Sequence, residues 1–109
     1  MLSWEEFRMV DMRVGRVAAV EDFPEARNPS YRLTIDFGPL GTRRSSAAVQ
    51  PWYAPADLLG RLVVAVVNFP PKQIAKFRSE VLVLGAVGKD GRVALLEPNR
   101  ESDLGARVA

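Results

Sequence analysis

From Tyr31 to Phe37 the chain alternates strictly, with Tyr31, Leu33, Ile35 and Phe37 on one side and Arg32, Thr34 and Asp36 on the other. A period of two predicts a strand with one face in a core and the other towards water. Met12 to Val20 starts with the same alternation, then slips phase around Gly15 and Arg16. Such a slip at a glycine predicts a bulge or sharp bend within a strand. Leu62 to Val67 is apolar throughout and rich in β-branched residues, the pattern of a strand covered on both faces. Asn68-Phe-Pro-Pro71 ends it, because prolines cannot continue a hydrogen-bonded ladder. Between these runs, Gly38-Pro-Leu-Gly41 predicts a turn and Thr42 to Val49 a third, more polar strand. Further on, Val81 to Val87 and Arg92 to Leu96 read as strands joined by Gly88-Lys-Asp-Gly91, a hairpin signal.

Helical signals are few. Ser3 with Glu6 three residues later forms a capping box, with Leu2 and Phe7 at the staple positions. A short N-terminal helix follows, with Trp4, Phe7 and Val10 expected to pack on the body. Pro55-Ala-Asp-Leu-Leu-Gly60 predicts a second short helix ended by its glycine. One helical turn is expected over Ile74 to Ser79, and a last short strand near Ala106 to Val108. Five or more short strands, one bent at a glycine, with a helix or loop between the third and fourth, fit an all-β barrel of OB type, forming a single domain over residues 1–109.

Composition narrows the function. The chain has no cysteine and no histidine, which removes thiolate chemistry, the commonest general base and the commonest metal ligand. Fifteen Lys and Arg against 13 Asp and Glu leave a net charge of +2, so the placement of charge matters more than its total. No apolar run approaches the ~20 residues that cross a bilayer, and the acidic, amphipathic N-terminus lacks the pattern of a signal peptide. The expectation is a cytoplasmic protein without membrane insertion.

No credible catalytic site emerges. Gly85-Ala-Val-Gly-Lys-Asp-Gly91 lacks the spacing of a phosphate loop and reads as a turn. Glu5, Glu6, Asp11, Asp36 and Glu80 show no metal-ligand spacing, and Ser45-Ser46 has no histidine to activate it. An enzyme, a metal and a cofactor are therefore not expected. The stretch from Asn68 to Gly85 is different. It sets Lys72, Lys76 and Arg78 around Ile74 and Phe77. Cations among apolar and aromatic groups suit phosphates and stacked bases, or equally an extended peptide. The bland alternative is a solvated basic loop whose Ile74 and Phe77 plug the barrel. In Arg43-Arg44-Ser45-Ser46, alternation lets only one arginine line an outer sheet face.

The same segment resembles the tRNA-binding domain found as a free dimer, in some methionyl-tRNA synthetases, and in CsaA secretion-chaperone-like proteins. Asn68, Pro71, the basic Lys72 and Ser79 match that pattern, whereas Phe77 stands where tRNA-binding members have glycine, and Val81-Leu82 where they have Gly-Met. Val20-Glu-Asp-Phe-Pro-Glu-Ala-Arg27, Ile35-Asp-Phe-Gly38, Arg44-Ser-Ser-Ala47, Ala65-Val-Val-Asn-Phe-Pro-Pro71 and Phe77-Arg-Ser-Glu-Val-Leu-Val-Leu-Gly85 are similar to the CsaA branch. The resemblance implies an OB-fold, a five-stranded barrel with short N- and C-terminal extensions that build a homodimer. It also implies binding of unfolded preprotein or peptide, contact with the export translocation machinery, and tRNA as the alternative ligand. The expected binding residues are Asn68, Pro71, Lys72, Lys76, Phe77, Arg78 and Ser79, with Arg43 and Ser46 from the neighbouring strand. Phe77 in place of glycine favours peptide, because the ring fills the space that a close backbone approach needs.

Overall fold

The computed structural model describes residues 1–109. Its body is one antiparallel sheet in the order β3 (Thr42–Ala47), β2 (Tyr31–Asp36), β1 (Met12–Asp22), β4 (Leu62–Val66), β7 (Leu82–Val83), curled into a nearly closed five-stranded barrel of OB type. The 11-residue strand β1 (Met12–Asp22) belongs to both halves of the curl. Residues 12–16 pair with β4 (Leu62–Val66), while residues 16–22 pair with β2 (Tyr31–Asp36). Only Arg16 pairs with both β2 and β4, so the chain turns its corner there. The register slips between Val17 and Ala19, slightly later than the phase change at Gly15-Arg16 predicts. Gly15 has another task. A Cβ on it would lie 2.5 Å from Ile35 Cγ2 and 2.8 Å from the Phe37 ring, so the missing side chain is what lets β1 lie against the core.

That core is built from the alternation of β2. Leu33, Ile35 and Phe37 are fully buried, and meet Val17, Val63, Ala65 and Val81. Leu58 of α2 (Pro55–Leu58) is also completely buried and joins the same cluster. Strand β3 (Thr42–Ala47) pairs with β2 from Ala47 opposite Tyr31 to Thr42 opposite Asp36. Two hairpins stand outside the sheet: β5 (Lys72–Ile74) with β6 (Phe77–Ser79), and β8 (Gly85–Val87) with β9 (Val93–Leu95). The helical turn expected over Ile74 to Ser79 is thus a hairpin, turned at Ala75, whose φ is +53°. The long strand expected over Val81 to Val87 is broken at Leu84, which instead donates to Val64 and accepts from Leu96. Its first part, β7 (Leu82–Val83), pairs with β4.

The two ends of the chain lie together. The capping box on α1 (Trp4–Arg8) forms as expected. However, Trp4 is 77% exposed and Val10 is exposed as well, so only Phe7 is even half-buried. A five-residue helix has too little surface to bury an aromatic on each side, and here only one face meets the body. The C-terminal tail lies along β1 by an Arg13–Arg107 bridge, with Val14 donating to Ala106 and Val108 to Met12.

A tyrosine relay fastens the loops. The Tyr31 hydroxyl donates to the Tyr53 carbonyl at 2.7 Å, and the Tyr53 hydroxyl accepts from the Leu95 amide at 3.0 Å. Burial raises the Tyr31 pKa above 10.0, helped by the negative charges of Asp22 and Asp57. The fold therefore favours the protonated hydroxyl. Stability from this group is complete below the unfolded tyrosine pKa of ~10 and is lost as pH rises through the higher folded value. Denaturant titrations above pH 10 should accordingly show wild-type stability falling more steeply than that of Tyr31→Phe. Equal slopes would contradict this. A second expectation concerns packing: Gly15→Ala should destabilise by ~1–3 kcal/mol in urea unfolding through overpacking against Ile35 and Phe37.

Candidate binding surface

Strand β3 has a sheet partner on one edge only. On its other edge lies the chain from Ser79 to Val81, joined by a mixed set of bonds. The Glu80 amide donates to the Arg44 carbonyl at 2.8 Å, and the Arg44 amide donates to the Glu80 carboxylate at 3.0 Å. The Ser46 amide donates to Ser79 Oγ at 3.1 Å. The Ser45 hydroxyl, completely buried, donates to the Val81 carbonyl at 3.0 Å. Side chains here do much of what a ladder would do, and they close the barrel. The β5–β6 hairpin ends at this seam, so its position follows from the closure.

Two concavities flank the hairpin. One is a groove of ≈ 400 Å³ floored by Phe69, Pro70, Ile74, Val81 and Leu82, with Lys72, Ser46 and Glu80 around it. Phe69 is 53% and Leu82 49% exposed, a large apolar presence for a surface. The other is a cleft of ≈ 480 Å³ that includes Phe23, Arg32, Arg44, Lys76 and Phe77. In it the Phe23 and Phe77 rings meet edge to face at 5.2 Å, and each carries an arginine. The Arg44 guanidinium sits 4.6 Å from the Phe77 centroid, and that of Arg32 5.6 Å from the Phe23 centroid.

Most residues singled out from the sequence fall on or beside the hairpin. Pro71, Lys72, Lys76 and Arg78 are exposed, and none of the three cations has a carboxylate within ion-pair distance. Phe77 and Ser79 share the opposite face from Arg78 and are buried. Phe77 thus lies beneath the surface as a support for Arg44, close to the plugging role weighed for it. Asn68 is engaged elsewhere: its carbonyl oxygen accepts from the Asp11 amide at 3.0 Å and its amide donates to the Met9 carbonyl at 2.7 Å. It ties the end of β4 to the corner after α1.

Arg43 shares the inward face of β3 with buried Ser45, whereas Arg44 shares the outer face with Ser46. Alternation limits the outer face to one arginine; what the sequence does not show is which one. Arg44 thus takes the place expected of Arg43, and Arg32, Phe23, Phe69 and Leu82 are the lining residues that sequence reasoning missed. Phe69 stood in view between Asn68 and the prolines, but nothing local told an exposed phenylalanine from a packed one.

The family model described as "Putative tRNA binding domain" matches residues 12–107. The chain belongs to that family. Its computed structure superposes on the CsaA chaperone of Bacillus anthracis with a TM-score of 0.94 and 51% identity, covering 100% of this chain and 99% of that one. With the CsaA chaperone protein of Picrophilus torridus the TM-score is 0.93 at 46% identity, over the full length of both. It is a CsaA-like member of the family. It is also 39% identical to the methionine–tRNA ligase of Thermococcus kodakarensis over 98% of this chain, a match that spans only 14% of that enzyme. No helix of this chain is long and apolar enough to cross a membrane.

Removing a seam contact should be costly. Ser79→Ala leaves the Ser46 amide without its acceptor, so a loss of ~1–3 kcal/mol is expected in chemical unfolding. Asn68→Ala should instead speed hydrogen exchange at the Asp11 amide, whose acceptor it removes. An unchanged exchange rate at Asp11 would show that this tether carries no weight.

Proposed function

We propose that the protein is a non-catalytic, CsaA-like chaperone of the cytoplasm that holds extended segments of unfolded preprotein on their way to export. The observation that carries this reading is the groove at Phe69, Ile74 and Leu82: apolar side chains held open to solvent beside an unpaired Lys72. An extended peptide can lay an apolar side chain into such a groove while charged groups at the rim hold its polar parts. The similarity to two CsaA chaperones at 46–51% identity supports it.

A homodimer belongs to the same proposal. Leu2, Trp4, Phe7 and Ala109 line a hollow formed by the two ends of the chain, and this apolar surface suits the same surface of a second copy. A dimer would present two grooves to one flexible client and raise avidity without new contacts. Contact with the export translocation machinery completes the proposed role.

A second reading, tRNA binding, is favoured by the family match and by the likeness to part of a methionine–tRNA ligase. Lys72, Lys76, Arg78 and Arg44 would then meet phosphates. Competition between labelled bulk tRNA and an unfolded preprotein segment, at two salt concentrations, separates the readings. Phosphate contacts weaken steeply with salt through counterion release, while apolar contacts do not. The chaperone reading expects peptide to bind at both salts, and Phe69→Ser to weaken it about tenfold through lost apolar burial. Tight tRNA binding at physiological salt that peptide does not displace would overturn it.

A further inference from the structure

The cleft on the other side of the hairpin is chemically unlike the groove. Arg32 and Arg44 share a single carboxylate, Glu21, at 3.9 and 3.4 Å. Arg32 Nε is buried without any hydrogen-bond partner. Lys76, at the hairpin turn, has no ion-pair partner. Three cations thus border one hollow, with Glu21 held loosely and Glu25 at the rim. Two of them are held by the aromatic rings beneath, which fixes their planes without using their donors.

We propose that this cleft is a carboxylate subsite of the peptide-binding surface: it takes an Asp or Glu side chain of a client whose neighbouring apolar residue occupies the groove at Phe69. The assignment rests on the chaperone reading and deepens it, by giving the client segment a chemistry of one large apolar and one acidic side chain a few residues apart. Fixed guanidinium forks suit a carboxylate, because charge-assisted bonds to a planar acceptor lose little entropy on forming.

The geometry favours a peptide carboxylate over a nucleic-acid chain. Phe23 and Phe77 are 2% and 5% exposed, so neither offers a face on which a base could stack. Glu21 and Glu25 lie on the same side of the molecule as the three cations. A polyanion would bring a charge past them with every nucleotide, whereas a lone carboxylate brings one. The cleft and the groove also meet at one hairpin, where Ile74 of the groove pairs with Phe77 of the cleft.

The test uses two synthetic peptides that share their apolar residues and differ only in Glu against Gln, and a short single-stranded oligoribonucleotide. Binding is read by fluorescence anisotropy on the full chain. The Glu peptide should bind wild type about tenfold tighter than the Gln peptide, the scale of a charge-assisted bond at a partly exposed site. Arg44→Gln should remove most of that preference, weakening the Glu peptide far more than the Gln peptide, while Arg44→Lys should restore part of it. Lys76→Gln, at an exposed turn with no packing to disturb, should reduce it without changing the melting temperature. If wild type binds both peptides equally while Phe69→Ser still weakens both, the carboxylate subsite is wrong and the groove stands. If neither peptide binds, the chaperone reading falls and the subsite with it. Oligoribonucleotide binding that Arg44→Gln abolishes and the Glu peptide does not displace would make the cleft a phosphate site instead.

Discussion

The open edge of β3 is the constraint on which the rest of this structure depends. An unpaired strand edge leaves amides and carbonyls without partners and invites pairing with another chain. The sheet runs out before it can cover that edge, because β7 is only two residues long and faces β4. Ser79, Glu80 and Ser45 finish the closure with a backbone bond and three side-chain bonds. A ladder would have held both strands straight through the seam. A side-chain seam lets the chain leave the barrel at once, and the β5–β6 hairpin projects from that point.

Charge and apolar surface are then divided by the hairpin. Lys72, Lys76 and Arg78 stay free on it, while several arginines elsewhere are tied into the fold. Arg13 meets Asp11 and the Gly105 carbonyl, Arg16 meets Glu101, and Arg107 meets the Arg8 carbonyl. Three arginines thus fasten the two ends of the chain, and Lys72, Lys76 and Arg78 put three unpaired cations beside the seam. Arg44 bridges both uses, resting on Phe77 while its edge faces the cleft.

Much of the barrel was legible in the sequence. The strict alternation of Tyr31 to Phe37 and the unbroken apolar run of Leu62 to Val67 encode burial directly, and both are strands where they were expected. The hairpin after Gly88 follows from turn chemistry alone. What failed was set by long-range contact. Ile74 to Ser79 has no local helix or strand signal strong enough to decide, and its hairpin is selected by the seam with β3. Trp4 looked like a packing residue by type, but five helical residues give it nothing to pack on within one chain. The site was half legible: Lys72, Lys76 and Arg78 stand out by spacing, whereas the Phe23–Phe77 pair joins residues 54 positions apart that only the closed barrel brings together.

The proposed client polypeptide engages the β5–β6 hairpin through the groove and the cleft beside it. The most direct measurement is amide hydrogen exchange of the full chain, free and saturated with an unfolded preprotein segment. Added protection is expected over residues 69–82 and 44–46, with the β8–β9 hairpin unchanged. Protection confined to the β8–β9 hairpin, or spread evenly over the barrel with none added at the hairpin, would contradict it.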